Sequence, residues 1–402
     1  MLSKLLCYWC LFVLALVSCQ ASGVINTTNA PIDTSTPTKG VLIISPTTSQ
    51  SSPTNFPTDI ASIATETPSP TLSPSLESIT NPSSTPVSTP EPQHTETKVS
   101  YGKKPIIVDH TSIELFDQIP EAYLEAARNL RLVFVDRSVG ENINRALDCL
   151  TASSWAQSSP GCRRDYIDSS WNWKLFDQTD LSSGRVPNRI TFQPNPQKYN
   201  RNQWTYVFLR PGDWKSATQE FFEEIVPLQI NSKDVFSLQF GYGEVDQASD
   251  IVDPNIGFFS ESPDRYEISD FELFRINHPD KILVFWTTAL SRKIGTQEAS
   301  DFNDRLRLYV QGTNGALLDL ADIISHTDQG VPCYDNRDGI RYCDQSGDCE
   351  NHPDDGQQFL AICQDYTTET NAGHLGSVSA GKIRLAKAMW VLMAQLAGWE
   401  PD

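Results

Sequence analysis

Two short segments, far apart in the chain, carry residue types suited to nucleophilic chemistry. The first is VFVDRSVGEN, where Ser138 follows a run of apolar β-formers and precedes residues of helical pattern. A serine hydroxyl attacks an acyl carbon only when a base takes its proton and donors receive the oxyanion that forms. A strand-to-helix turn exposes the hydroxyl beside the free amides of a helix N-terminus, whose dipole favours negative charge. The same place suits a serine that merely caps the helix, so Ser138 has two readings. The second segment is YTTETNAGHLG, with His374 in a glycine-flanked loop just before the last helical stretch. A histidine there is placed to approach a strand end instead of filling a core. Five other histidines exist: His94 in a low-complexity stretch, and His110, His278 and His352 in polar or proline-adjacent loops. His326, which follows Asp322 after a short strand, is the one rival.

These residues need elements to hold them. Leu130 to Asp136 reads as a buried strand, and GENINRALDCL continues it as a helix. Trp204 to Leu209, Asp234 to Gly241, Lys281 to Thr287 and Ala316 to Leu320 read as further strands. Helical pattern fills Ala217 to Val226 and Asp301 to Val310. Ser379 to Ala397 predicts a closing amphipathic helix, with Ile383, Ala386, Met389, Trp390, Met393 and Leu396 near helical spacing. Strands alternating with helices predict an α/β fold with a mainly parallel sheet and helices on both faces. In such a sheet the chemistry sits at the carboxyl ends of the strands.

Taken together, LVFVDRSVGENI, ILVFWTTAL, FNDRLRLYV, LLDLADIISH and GHLGSVSAGKIRLAKAMWVLMAQLAGW resemble the SGNH (GDSL) hydrolase superfamily over essentially Ile106 to Trp399. They look like an exported bacterial subgroup in which S-V-G-x-N stands where G-D-S is usual. The resemblance implies a three-layer α/β/α sandwich of flavodoxin-like kind, with Ser138 as nucleophile and His374 as general base. Two departures follow. The family's Asp three residues before the histidine is Asn371 here, which leaves Glu369 to orient the imidazole, or a Ser-His dyad. The oxyanion asparagine of G-x-N-D is missing from Gly241-Tyr242-Gly243-Glu244. Asn195, backed by Gly140 and the Ser138 amide, is the candidate replacement, and Asn142 either helps or braces the turn. The implied activity is hydrolysis of carbohydrate or lipid esters by a serine esterase or deacylase, without metal or cofactor. The competing expectation is a glycan-binding module or pseudoenzyme on the same fold. Trp155, Trp171, Trp173, Trp204 and Trp214 lie where a pocket would be shaped, or fill the core.

The chain's 402 residues divide unevenly. Residues 1–18 carry Lys4 and an apolar run from Leu5 to Val17, too short to span a bilayer and suited to a signal peptide. Leu16-Val17-Ser18-Cys19 resembles the lipobox of bacterial lipoproteins, which implies acylation of Cys19 and anchoring of the exported protein to a bacterial membrane at the cell surface. Between Ala21 and Ser100, 44 of 80 residues are Ser, Thr or Pro. Such a composition cannot offset chain entropy, so residues 19–100 are expected to be a disordered tether. Residues 101–402 form the SGNH-like domain, a monomer by expectation.

The net charge of −19 excludes a nucleic-acid partner, because no basic footprint is left for phosphate. It also favours neutral or weakly charged substrates, small molecules or glycan esters, over anionic ones. Six cysteines in the domain after an export signal predict disulfides. Cys149 and Cys162 bracket a short loop and are expected to pair, and Cys333, Cys343, Cys349 and Cys363 are expected to form two more bridges. Zinc is the alternative there, but no C-x-x-C pair is present. Calcium is disfavoured because the acidic loop lacks EF-hand spacing.

Overall fold

The computed structural model describes residues 104–401, except for 169, 186, 188, 190, 191, 211, 246–248, 263, 292–296, 336–340, 344–348, 352–357, 370, 371 and 377. The expected signal peptide, Cys19, the tether and Asn371 lie outside the described residues. Among the described residues, no helix is long and apolar enough to cross a membrane.

Six strands make one sheet: β1 (Ile106–Val108), β2 (Leu132–Asp136), β3 (Trp204–Phe208), β4 (Val235–Leu238), β5 (Ile282–Trp286) and β6 (Ala316–Leu318). Their order is β3-β2-β4-β5-β6-β1, and every pairing is parallel. The central strands LVFVD, VFSL and ILVFW are buried at every position. Continuous apolar runs of this kind are what a parallel sheet covered on both faces requires. The edge strands are less buried: IIV at one side and WTYVF at the other.

Side chains alternate across the sheet and meet helices on both sides. On one face Trp204 packs on Trp390 at 4.5 Å between centroids, and Phe134 lies beside Tyr206. That face carries α1 (Glu121–Asn129), α2 (Ser138–Leu150) and, by our numbering, α7 (Ser379–Leu396). On the other, Phe236 meets Phe274, and Phe285 meets Phe271 and Tyr309. Phe271 and Phe274 belong to α4 (Ile268–Asn277) and Tyr309 to α5 (Gln297–Thr313); Phe221, in the turn that follows α3 (Trp214–Glu220), packs on Phe271. The remaining helix of note, α6 (Leu320–Ser325), follows β6.

The strand and helix expectations hold within a few residues. The sequence reading missed β1, whose three residues are too few to show a period, and the helices α1, α4 and α6. One expectation is corrected. The closing helix is not amphipathic at a surface: from Ser379 to Met393 all its residues are buried except Lys387. The 3-10 turn Thr111–Gln118, α1 and α2 cover the side that a surface helix would show to water. Lys382 is carried inside as well. Burial, followed by the nearby Arg164 and Arg145, pushes its ammonium down to about 8.

Two disulfides are present among the described residues. Cys149–Cys162 is the expected pair, and Cys333–Cys363 is one of the two expected in the acidic loop region. A short antiparallel ribbon sets the backbone of Cys343 opposite Cys349; their side chains lie outside the described residues.

Candidate active site

The chain leaves β2 for β3 on one side and returns to β4 on the other, so a crevice opens between the carboxyl ends of β2 and β4. Open α/β sheets place their ligand sites at such a switch point. Ser138 follows β2 directly, and Gly241 to Glu244 follow β4. A cavity of about 280 Å³ lies there, lined by Asp136, Arg137, Ser138, Val139, Gly241, Tyr242, Gly243, Glu244 and His374.

Ser138 is not the cap of α2. Arg137 occupies that position, with φ −95° and ψ −129°, and no side chain caps the helix. Ser138 is the first helical residue, and its Oγ stands 2.8 Å from Nε2 of His374. The tight turn needs Gly140: a Cβ there would lie 2.6 Å from the Asp136 Cβ and 2.9 Å from the Tyr206 ring. Tyr206, from the edge strand, braces the turn by reaching the carbonyls of Asp136 and Arg137.

His374 is oriented by Glu369. Its Nδ1 lies 2.9 Å and 3.1 Å from the two carboxylate oxygens, and its backbone N–H donates to Oε2 at 2.9 Å. A carboxylate accepts only, so the ring proton belongs on Nδ1 and the Nε2 lone pair faces the serine. The bond to Glu369 raises the imidazole above its ordinary range, against the opposing effect of burial. Thr367 closes the loop on itself, donating from Oγ1 to the His374 carbonyl at 2.7 Å and accepting the Glu369 N–H at 3.0 Å. Glycine is required at 373, since a Cβ there would meet the Leu290 carbonyl oxygen at 2.1 Å. That close approach seats the loop against the segment leaving β5.

Around this triad lies a charged rim. Arg137 donates to Glu244 at 2.8 Å, and Glu244 is only 3% exposed. Asp136 is fully buried; desolvation, with a smaller push from Glu244, raises its carboxyl to about 8 against the bonds from the Arg137 and Gly140 amides. Its Oδ1 accepts the Arg137 amide at 2.6 Å, while Oδ2 faces Gly140 without a hydrogen bond of normal geometry. At neutral pH Asp136 is therefore chiefly the neutral acid.

The structure brings Ser138, His374 and Glu369 together and separates the supporting candidates. Asn142 braces the turn, donating from Nδ2 to the Ser138 carbonyl at 2.5 Å. Gly140 packs at the turn against the Asp136 side chain and the Tyr206 ring. Asn195 is exposed and not at the site: its Oδ1 accepts the Gln197 and Lys198 amides in a local turn, as Asn residues do in loops. His326 stacks on His110 at 4.0 Å and bonds through Nδ1 to the Asp322 carbonyl, with no contact to Ser138. Of the tryptophans, Trp204 and Trp214 are core residues, whereas Trp173, on the ribbon Arg164–Tyr166/Trp173–Leu175, and Trp171, between its strands, are exposed; none lines the cavity. The sequence reading missed Tyr242, Arg137, Asp136 and Thr367. The one signal in the sequence is the stretch GYGE itself, whose tyrosine stands where the resemblance places an asparagine.

Comparison of the chain with protein-family models, with curated proteins and with solved structures returns no match.

Proposed function

We propose that the domain is a serine hydrolase of SGNH type that cleaves carbohydrate or lipid esters. The observation that carries this reading is the relay from Ser138 Oγ to His374 Nε2 at 2.8 Å and from His374 Nδ1 to Glu369 at 2.9 Å. The strand order supports it too: omitting the edge strand β1, the order is 2-1-3-4-5, that of the flavodoxin-like sheet.

In the proposed reaction, Ser138 Oγ bonds to the ester carbonyl carbon as its proton passes to Nε2 of His374. The π pair moves to the carbonyl oxygen, which becomes an oxyanion at the α2 N-terminus, beside the Ser138 amide. The oxyanion collapses, the C–O bond to the alcohol breaks, and the alcohol departs with the proton from His374. Water, deprotonated by the same imidazole, then releases the acid and restores Ser138. Glu369 holds the ring and stabilises the imidazolium without taking the proton. Export behind a signal peptide and anchoring through acylated Cys19 complete the proposal; paired cysteines are compatible with an exported protein.

The test is turnover of p-nitrophenyl acetate. Ser138→Ala and His374→Ala are each expected to lose about 10³-fold or more in kcat. Undiminished turnover in both sinks the proposal. Exposed Trp171 and Trp173 favour the second reading, a glycan-binding module. Retention on insoluble glycan by the wild type, lost in Trp173→Ala and without product release, would select it instead.

A further inference from the structure

The site has a nucleophile, a base and an orienting acid, yet the asparagine that would receive the oxyanion is absent from Gly241-Tyr242-Gly243-Glu244. What stands there is Tyr242, a cavity-lining residue whose ring meets the His374 ring edge-on at 5.7 Å between centroids. Its hydroxyl lies 3.3 Å from Nε2 and 3.5 Å from Nδ1 of that histidine.

Neither nitrogen offers the hydroxyl an acceptor. Nδ1 holds the proton donated to Glu369, and the Nε2 lone pair accepts from Ser138. Among the described residues, the side-chain contacts of the phenolic oxygen are those to the His374 ring, so its proton is available to an oxygen that enters the cavity. Tyr242 is half-buried and borders the cavity, so its hydroxyl can meet a ligand oxygen there. Ser138 Oγ and Tyr242 Oη, both close to Nε2, lie within about 6 Å of each other, so an oxygen on a carbon bonded to Oγ comes within reach of the phenol.

We infer that the Tyr242 hydroxyl is the side-chain donor of the oxyanion hole, acting with the Ser138 amide in place of the missing asparagine. The inference rests on the serine-hydrolase reading. As the Oγ–C bond forms, the carbonyl π pair becomes an oxygen lone pair, and the phenol donates its hydrogen bond to that oxygen without transferring the proton. Burial, with Glu369 and Glu244 nearby, pushes the phenol up to about 12, against the effects of the Gly373 amide and Arg137. It therefore keeps the proton it must donate throughout the range in which His374 acts as a base.

The experiment is Tyr242→Phe in the full-length protein, assayed on p-nitrophenyl acetate beside Ser138→Ala. Phe retains the ring against His374 and removes only the hydroxyl. The expected result is a kcat lower by about 10–10³-fold, a KM within about threefold of wild type, and an unmoved acid limb of the pH profile. An unchanged acid limb shows that His374 is still held by Glu369, which a merely structural hydroxyl would not guarantee. Two results overturn the inference while Ser138→Ala is inactive and the hydrolase reading stands: activity within threefold of wild type, or a loss accompanied by a shifted acid limb. Turnover by Ser138→Ala overturns both. Thermal denaturation of the Phe variant, expected within a few degrees of wild type, separates loss of the donor from loss of the fold.

Discussion

At the scale of single residues, the site is a balance of partners that raise or lower proton affinity. Glu369 raises the His374 imidazole, and the proposed mechanism works with the neutral ring, so wild-type turnover is expected to climb as pH rises through that raised value. In Glu369→Gln the charge is gone and the affinity falls. The acid limb of kcat/KM is then expected at lower pH than in wild type, with a plateau reduced by about 10–10²-fold because imidazolium formation loses its stabiliser. A pH–rate profile of both proteins measures the two effects, and an acid limb that moves upward contradicts the assignment. Asp136 acts on stability instead. A carboxyl held at about 8 in the folded state and near 4 when unfolded keeps its proton only when folded between those values. Its contribution is complete below about pH 4 and is lost as pH rises through about 8, at up to about 1.4 kcal/mol per pH unit. Urea denaturation at pH 5 and pH 8 is expected to show a smaller drop in Asp136→Asn than in wild type; equal drops would remove Asp136 as the cause.

At the scale of elements, two backbone devices place Ser138 and His374, the proposed nucleophile and base. The turn from β2 into α2 puts Ser138 at the first helical position, and it is tight enough that only glycine fits at 140. The loop from Thr367 to His374 is folded on its own hydrogen bonds and pressed against the Leu290 carbonyl through Gly373. A methyl group at 373 must push that loop away from β5 and draw His374 from Ser138. Gly373→Ala is therefore expected to cost about 10²-fold in kcat while the core, and hence far-UV circular dichroism, is little changed. A variant as active as wild type would show that the loop yields without moving the histidine.

At the scale of the whole molecule, the same loop depends on a covalent tie. Cys363 lies just before it and is bonded to Cys333, and both backbones hydrogen-bond to the end of α6, through the Ile324 and Ser325 carbonyls. Closing 30 residues constrains the unfolded chain by about 3–4 kcal/mol in the chain-entropy model. Cys333→Ala/Cys363→Ala is expected to lose about that much in urea denaturation and to lose activity before it unfolds. A double variant with unchanged midpoint and unchanged kcat would place the tie outside the working parts. The sheet order has a consequence at this scale as well: the crevice between β2 and β4 exists only because the chain reverses direction there, and it brings together residues 236 positions apart in sequence.

Much of this is legible in the amino-acid sequence. Buried strands announce themselves as LVFVD and ILVFW because a parallel sheet covered on both faces tolerates no polar side. Ser138 and His374 could be named because a strand-to-helix turn and a glycine-flanked loop leave local signatures. Cys149 and Cys162 could be paired because they bracket a short loop. Only the tertiary structure could choose Glu369 as the histidine's partner, discard Asn195, bury the closing helix on all sides and bring Tyr242 to the imidazole. Each of those depends on contacts between segments remote in sequence, and residue types and local spacing hold no record of which remote segments meet.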